Sequence, residues 1–219
     1  MQGLQNNARL LLSGGGSSES VATLDAVFVS EIEVTKPVLY VPVAMEAKRF
    51  SYAQCLEWFT GIYAPYGITN IQMCTDLNAA PDLGQFTAVF IGGGNTFKLL
   101  KEIKDAGFDT KLIEYLAQGG FLYGGSAGAI ICGNSIEAAY YGDSSDVNDV
   151  GLEDLTGLNL LGGMDVWCHY TPKDDEQIVK YAADLYILYE ESGLFMHGSG
   201  ITGIGKPFLR KADISFSDE

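Results

Sequence analysis

The sequence predicts an α/β fold in which a mostly parallel β-sheet is sandwiched between helices. Short apolar runs that suit buried strands alternate along the chain with segments whose apolar residues recur at helical spacing. The strand-like runs are residues 8–13, 37–43, 68–73, 86–91 and 120–123, and the helix-like segments are 52–66, 95–104 and 109–118. Alternation of this kind is typical of parallel sheets that helices cover on both faces.

Three of the strand-like runs end in glycines, at 14–16, 92–94 and 124–128. In parallel sheets, ligands bind beyond the carboxyl ends of the strands. We therefore expect these three glycine-rich segments to gather at one edge of the sheet and to form a site there.

The pattern changes after residue 136. Residues 140–154, called the acidic loop below, are polar, acidic and rich in turn formers, which predicts a surface excursion that borders a site. Residues 164–168 predict a strand, 173–190 carry a helical pattern, and the tail at 193–216 predicts short antiparallel strands. Because no repeat or linker interrupts the chain, residues 1–219 are expected to form one domain.

The composition excludes several classes of protein. A chain of 219 residues with 47% hydrophobic residues can bury a substantial core. Its net charge of −15 argues against nucleic acid and anionic membranes as partners, since both need clustered Lys and Arg. The first residues lack the basic and apolar regions of a signal peptide, and no apolar run reaches the roughly 18 residues of a membrane span. A cytoplasmic location is therefore expected.

No cofactor or metal is expected from the sequence. The four cysteines are widely spaced and form no CxxC pair, which predicts neither a disulfide framework nor a structural zinc site. The glycines at 92–94 lack the third spaced glycine of a dinucleotide-binding fingerprint, and the chain has no Walker A Lys-Ser/Thr pair.

The segment Gly124-Gly125-Ser126-Ala127-Gly128 matches the pattern G-x-S-x-G between a strand-like and a helix-like run. A nucleophile at so tight a turn has a strained backbone and needs small neighbours. The following helix directs its free N–H groups toward a developing oxyanion. We predict that Ser126 is a catalytic nucleophile; a plain glycine-rich connection or a phosphate-binding nest is the alternative.

A serine nucleophile needs a base, and the chain contains only two histidines, His169 and His197. His169 follows the predicted strand at 164–168, where its ring would face the same sheet edge as Ser126. We predict His169 as the base and keep His197 as the reserve candidate.

The sequence GGGNT at 92–96, called the GGGNT turn below, supplies the complementary part of the site. Consecutive glycines let backbone amides approach a substrate carbonyl, so Gly93 or Gly94 can join the N–H of Ala127 in an oxyanion hole. Asn95 and Thr96 are assigned to substrate binding, and either of them can also cap the following helix.

Three blocks of the sequence are IGGGNTFKLL at 91–100, GGSAGA around Ser126, and Cys168-His169-Tyr170. In combination they resemble the peptidase E family of serine peptidases, which includes aspartyl dipeptidases and, more distantly, cyanophycinase. The resemblance runs from the first strand to about Glu190. It implies a class I glutamine amidotransferase-like (flavodoxin-like) fold, with serine where amidotransferases carry cysteine. It also implies the same nucleophile, base and oxyanion hole as above.

The resemblance places the third member of the triad, an Asp, in the loop after the nucleophile helix. This loop holds Asp143, Asp146 and Asp149. Asp143 aligns best if a short insertion is allowed and is predicted as the triad acid, with Asp146 and Asp149 as open alternatives. Where some descriptions of the fold place a late acid in a Pro-Glu-Gly context, residues 196–198 read MHG here.

The implied function is that of a dipeptidase-like serine peptidase that hydrolyses small peptides through a Ser-His-acid triad and an acyl-enzyme. Aspartyl dipeptidases use a cation soon after the histidine, and this chain offers only Lys173, flanked by acidic residues. Specificity for Asp is therefore not expected. A catalytically impaired, peptidase E-like ligand-binding or regulatory protein is the alternative. The expected partner is a small peptide, and the chain is expected to be a monomer or a homodimer.

Overall fold

The computed structural model describes residues 8–46, 48–198 and 200–212, and its centre is a seven-stranded β-sheet. Five strands pair in parallel, and their spatial order is β3-β2-β4-β5-β1. In chain order they are β1 (Arg9–Ser13), β2 (Val38–Val41), β3 (Ile71–Met73), β4 (Ala88–Ile91) and β5 (Phe121–Gly125). All their carboxyl ends therefore lie at one edge of the sheet, as the sequence predicts.

The later strands extend this sheet and build a second, smaller one. They are β6 (Asp165–Trp167), β7 (Leu185–Ile187), β8 (Gly193–His197), β9 (Gly200–Ile204) and β10 (Phe208–Arg210). The hairpin of β8 and β9 adds to β1 in antiparallel orientation, which confirms the predicted antiparallel strands of the tail. β7 pairs in parallel with β6 and antiparallel with β10. Residues 213–216 of the predicted tail lie outside the described residues.

Helices cover both faces of the large sheet, and they are α1 (Ala22–Glu31), α2 (Tyr52–Tyr63), α3 (Thr96–Asp105), α4 (Phe108–Ala117) and α5 (Ala127–Ile130). A further helix, α6 (Asp175–Lys180), packs on the small sheet through Ile178. The apolar sides of α1 and α2 pack on one face, and α3, α4 and α5 pack on the other. Because side chains alternate along a strand, both faces of each parallel strand need apolar residues. Among the described residues, no helix has the length and apolar character that crossing a membrane requires.

The prediction of one helix over 173–190 is wrong. α6 ends at Lys180, and β7 follows it with Leu185 and Ile187 fully buried between β6 and β10. The guanidinium of Arg210 donates to the carbonyls of residues 179, 181 and 183, which a continuing helix would have used itself. Apolar residues at 178, 181, 185 and 188 fit helical spacing by chance, and contacts with β6 and β10 decided the strand. The helix α1 was not predicted either.

A buried polar group lies between α1, α2 and the sheet. Asp25 is 3% exposed, and the hydroxyl of Tyr63 donates to its Oδ1 at 2.6 Å. Burial raises the pKa of the Asp25 carboxyl above its usual value, and hydrogen bonds from Tyr63 and Tyr123 offset this rise only in part. The folded chain therefore favours the protonated form of Asp25 more than the unfolded chain does.

Replacing Asp25 is expected to change the pH dependence of unfolding. A raised pKa in the folded state means that stability present below the unfolded pKa is lost as the pH rises through the folded pKa. Asp25→Asn keeps an acceptor for Tyr63 but does not ionise. Urea unfolding over a pH series that starts at about pH 4, near the unfolded pKa of Asp, and ends at about pH 9 should show the variant gaining stability relative to the wild type as the pH rises. A stability difference that stays constant across this pH range would contradict the raised pKa.

Candidate active site

The three glycine-rich segments meet at the carboxyl edge of the sheet, as predicted. A Cβ added at Gly93 would lie 3.3 Å from Cβ of Ser126, so the GGGNT turn and the serine turn are in close contact. A Cβ added at Gly15 would overlap the ring of His169. The loop after β1, the loop after β4 and the turn after β5 therefore form the floor and walls of one site.

Ser126 sits at a strained turn between β5 and α5. Its φ of 50° lies in the left-handed region that residues with a side chain rarely adopt. Its N–H donates to the carbonyl of Ser13 at 3.0 Å, which ties the turn to the end of β1. A side chain at Gly124 or Gly128 would overlap backbone atoms of α5 and β4 respectively. The glycines of G-x-S-x-G are thus required by close backbone packing, and Ser126 remains partly accessible.

His169 follows β6, and its Nε2 lies 2.7 Å from Oγ of Ser126. Its φ of 54° is also left-handed, and its N–H donates to the carbonyl of Gly14 at 3.1 Å. Gly15, with a φ of 99°, passes directly beneath the imidazole. The glycine loop after β1 therefore holds the histidine in place through its backbone and by having no side chains.

The carboxylate beside His169 belongs to Glu190. Its Oε1 lies 3.0 Å from Nδ1 of His169, and its side chain is 52% exposed. Because β6 and β7 are parallel neighbours, the residues that follow them emerge at the same edge, which brings Glu190 to His169. Glu190 was not among the predicted site residues, because the helical pattern over 173–190 predicts one helix there. A pair of short strands, each followed by a titratable residue, was the signal that would have found it.

The position of Asp143 corrects the prediction made for it. Its Oδ2 accepts from Nζ of Lys173 at 3.2 Å, and its side chain is 64% exposed, so its partner is this lysine rather than His169. Asp149 is exposed on the acidic loop. Asp146 is partly buried and accepts hydrogen bonds from Thr96. The loop therefore brings none of its three aspartates into the hydrogen bond with Nδ1, which Glu190 makes.

Among the described residues, three backbone amides next to Ser126 are free to face a reacting carbonyl, those of Gly93, Gly94 and Ala127. Gly93 lies against Ser126, and Ala127 is the first residue of α5. Within the described ranges, neither N–H donates to another protein group. Gly94 has a φ of 140°, and a side chain there would overlap the backbone of Ala44. This arrangement fits the predicted oxyanion hole, in which two N–H groups point at the developing charge.

Asn95 and Thr96 do not have the substrate-facing positions expected of them. Thr96 is fully buried, and its Oγ1 and N–H both donate to Oδ2 of Asp146, at 2.6 and 2.9 Å. Asn95 caps α3 by accepting from the N–H of Lys98 at 2.9 Å, and its Nδ2 donates to the carbonyl of Val147 at 2.8 Å. Both side chains are thus occupied in fastening the acidic loop to the GGGNT turn.

His197 lies at the other end of the sheet. In the pairing of β1 with β8 it stands opposite Arg9, whereas the end of β1 next to Ser126 is Ser13. Four residues of strand separate the two positions by about 13 Å. The reserve candidate for the base is therefore excluded by topology.

Charge around the site is mainly acidic. Burial raises the pKa of Asp146 above its usual value, Glu46 adds to the rise, and hydrogen bonds from Thr96 together with the nearby His169 lower it.

Cys168 lies beneath the serine turn, and burial raises the pKa of its thiol far above the usual range. The thiol is thus kept protonated and does not compete with Ser126 as a nucleophile.

A serine at a strained strand-to-helix turn, bonded to a histidine that is bonded in turn to a carboxylate, is the site geometry of serine hydrolases. The model of peptidase family S51 matches residues 10–202, and the chain belongs to this family.

Individual relatives agree with this assignment. An uncharacterized peptidase of Listeria monocytogenes is 31% identical over 137 residues, which cover 56% of this chain and 66% of that protein. Peptidase E of Citrobacter koseri is 32% identical over 103 residues, which cover 46% of this chain and 41% of that protein. The matched segments thus span less than two thirds of the length of these relatives.

Solved structures confirm the fold. A crystal structure of a candidate peptidase E protein from Listeria monocytogenes has a TM-score of 0.72 at 24% identity and covers 90% of this chain and 98% of that one. A peptidase from an acI-B1 Actinobacterium has a TM-score of 0.67 at 16% identity, with 97% and 99% covered. At these identities the likeness establishes the architecture.

The glycine beneath His169 is expected to be essential for serine reactivity. Gly15→Ala should push the imidazole away from Ser126 and lower the rate constant for labelling by a fluorophosphonate by about 10-fold or more. Gly67→Ala is the matched control, because Gly67 also has a positive φ (82°) but has no heavy atom within 4 Å of an added Cβ. Both substitutions introduce backbone strain. Equal labelling rate constants for the two variants would therefore contradict a role for Gly15 in placing the histidine.

Proposed function

We propose that this chain is a serine peptidase that hydrolyses small peptides through a Ser126-His169-Glu190 triad and an acyl-enzyme. The observation that carries the proposal is the pair of contacts from Ser126 Oγ to His169 Nε2 at 2.7 Å and from His169 Nδ1 to Glu190 Oε1 at 3.0 Å. Glu190 replaces Asp143 in the role of the acid. Its carboxylate accepts a hydrogen bond from Nδ1–H of His169, which keeps the proton on Nδ1 and leaves the Nε2 lone pair free to accept the proton of the serine hydroxyl.

The reaction begins when Oγ of Ser126 attacks the peptide carbonyl carbon and its proton passes to Nε2 of His169. Glu190 stabilises the imidazolium, and the amides of Gly93 and Ala127 stabilise the oxyanion. The imidazolium then gives its proton to the leaving amine as the C–N bond breaks. Water attacks the resulting ester and gives a proton to His169. As the ester C–O bond then breaks, His169 returns this proton to Oγ of Ser126, the serine hydroxyl is restored and the acid product leaves.

The acidic loop supports a preference for small substrates. Asn95 binds the carbonyl of Val147 and Thr96 binds Asp146, so the loop is fastened directly to the turn that carries the proposed oxyanion amide. A loop held this close to Gly93 narrows the space for an extended polypeptide on that side of the serine. We therefore expect short peptides to be cleaved in preference to extended polypeptides.

Charge supports substrates without an acidic side chain at the cleaved residue. The cation nearest in sequence after His169 is Lys173, and Asp143 already neutralises it. Glu46, Asp146 and Glu190 add negative charge around the site, and the whole chain carries −15. An N-terminal Asp would bring its carboxylate into this field of negative charge.

The non-catalytic alternative requires a histidine out of reach of the serine. A distance of 2.7 Å between Ser126 Oγ and His169 Nε2 lies within the normal hydrogen-bonding range and supports hydrolysis over simple ligand binding.

Matched amide substitutions distinguish Glu190 from Asp143 as the acid of the triad. Glu190→Gln is expected to lower kcat for a cleaved dipeptide by about 10²–10⁴-fold, because the imidazolium loses its stabilising charge. Asp143→Asn disturbs only an exposed ion pair and should stay within about twofold of the wild type. The measurement is hydrolysis of a panel of dipeptides with neutral, basic and acidic first residues, together with fluorophosphonate labelling.

Ser126→Ala and His169→Ala complete the set and should remove both hydrolysis and labelling. Labelling of Ser126→Ala equal to that of the wild type would end the proposal. A loss confined to Asp143→Asn, with Glu190→Gln unaffected, would return the acid role to Asp143. Preferred cleavage after an N-terminal Asp would contradict the proposed charge preference.

A further inference from the structure

Asp146 of the acidic loop contacts the GGGNT turn of the active site. Oδ2 of Asp146 accepts from the N–H of Thr96 at 2.9 Å and from its Oγ1 at 2.6 Å. The two donors come from one residue, and Thr96 is fully buried. Asp146 is therefore held in one orientation by a pair of charge-assisted hydrogen bonds, which are stronger than neutral ones.

The other side of the same turn is held by the loop after β2. The N–H of Asn95 donates to the carbonyl of Ala44 at 2.9 Å, and Nζ of Lys98 donates to the carbonyls of Val43 and Met45. The GGGNT turn is thus clamped between two loops. Glycines cannot stiffen a backbone by themselves, since they have the widest conformational freedom of all residues. The clamps must supply the rigidity that an oxyanion hole requires.

The position of Thr96 explains why a carboxylate suits this place. Thr96 is the first residue of α3, so its N–H has no acceptor within the helix. Negative charge at the start of a helix also interacts favourably with the helix dipole. The Gly93 amide lies only three residues before this anchor, and Gly94 between them has a φ of 140°. A shift at Thr96 is therefore passed to Gly93 through a segment with little stiffness of its own.

We propose that Asp146 is a positioning residue that fixes the GGGNT turn, and with it the Gly93 N–H, in the orientation that receives the oxyanion. The inference rests on the proposed function, because it assigns Asp146 to the same acyl transfer. It separates the three aspartates of the acidic loop by role: Asp143 pairs with Lys173, Asp149 is exposed, and Asp146 acts on the turn through Thr96.

Four single substitutions test this assignment. Asp146→Asn removes the charge at nearly constant shape, and Thr96→Val removes the Oγ1 donor at nearly constant volume. Thr96→Ser is the conservative partner that retains both donors, and Asp149→Asn is the matched control in the same loop. Urea unfolding confirms that each variant is folded before its activity is compared.

The expected result is a fall in kcat with little change in KM. Asp146→Asn and Thr96→Val should each lower kcat for a cleaved dipeptide and the fluorophosphonate labelling rate by about 10- to 100-fold, less than the loss of an oxyanion donor outright. KM should stay within about threefold of the wild-type value, since the oxyanion hole stabilises the transition state more than it stabilises the bound substrate's carbonyl. Thr96→Ser and Asp149→Asn should match the wild type. The double variant Asp146→Asn/Thr96→Val should lose no more than either single variant, because both break one contact.

Amide hydrogen exchange across residues 92–97 supplies a readout that does not depend on activity. Asp146→Asn should accelerate exchange in this segment and leave the segment around Ser126 unchanged. Unchanged exchange at 92–97, or a kcat equal to that of the wild type, would overturn the inference. A wild type that neither cleaves peptides nor reacts with the fluorophosphonate would instead overturn the proposed function, and exchange alone would then decide whether Asp146 fixes the turn.

Discussion

Close packing of backbone against backbone at the carboxyl edge of the sheet is the constraint on which the site depends. A side chain at Gly15 would displace the imidazole of His169, and one at Gly14 would overlap the carbonyl of Tyr189, just before Glu190. A side chain at Gly128 would separate α5 from β4. Only glycine allows these approaches, so the loop after β1 and the turn after β5 can bring serine, histidine and glutamate from three strands within hydrogen-bonding distance.

The proposed nucleophile and base carry backbone strain that the surrounding sheet must offset. Ser126 and His169 both have a φ near 50°, and such conformations cost about 1–3 kcal/mol each. Their N–H groups donate to the carbonyls of Ser13 and Gly14, consecutive residues at the end of β1. β1 is the strand between β5 and β8, with fully buried leucines at 10, 11 and 12. The strain is therefore held by a rigid central strand rather than by a surface loop.

The distribution of acidic residues shows why sequence spacing alone was a poor guide to the triad. Asp143 stands in the loop where the family resemblance places an acid, yet its neighbour in space is Lys173. Glu190 lies 21 residues from His169 and reaches it because β6 and β7 are parallel neighbours. Misassigning β7 as the end of a helix concealed this. The segment compared with the late acid of the fold, residues 196–198, ends a strand at the opposite edge of the sheet.

The sequence by itself determined the parallel sheet, the strained serine turn and the histidine beside it. These features make local steric demands, so they leave glycines, β-like runs and a strand-end histidine at fixed places in the chain. The tertiary structure alone decided the partner of His169, the burial of Thr96 and the separate contacts of the three aspartates in the acidic loop. A hydrogen bond between residues on different strands or loops requires only that a carboxylate be present at the right point in space. The sequence contains many acidic residues that could supply this carboxylate, and only the packing of the strands and loops decides which of them lies there.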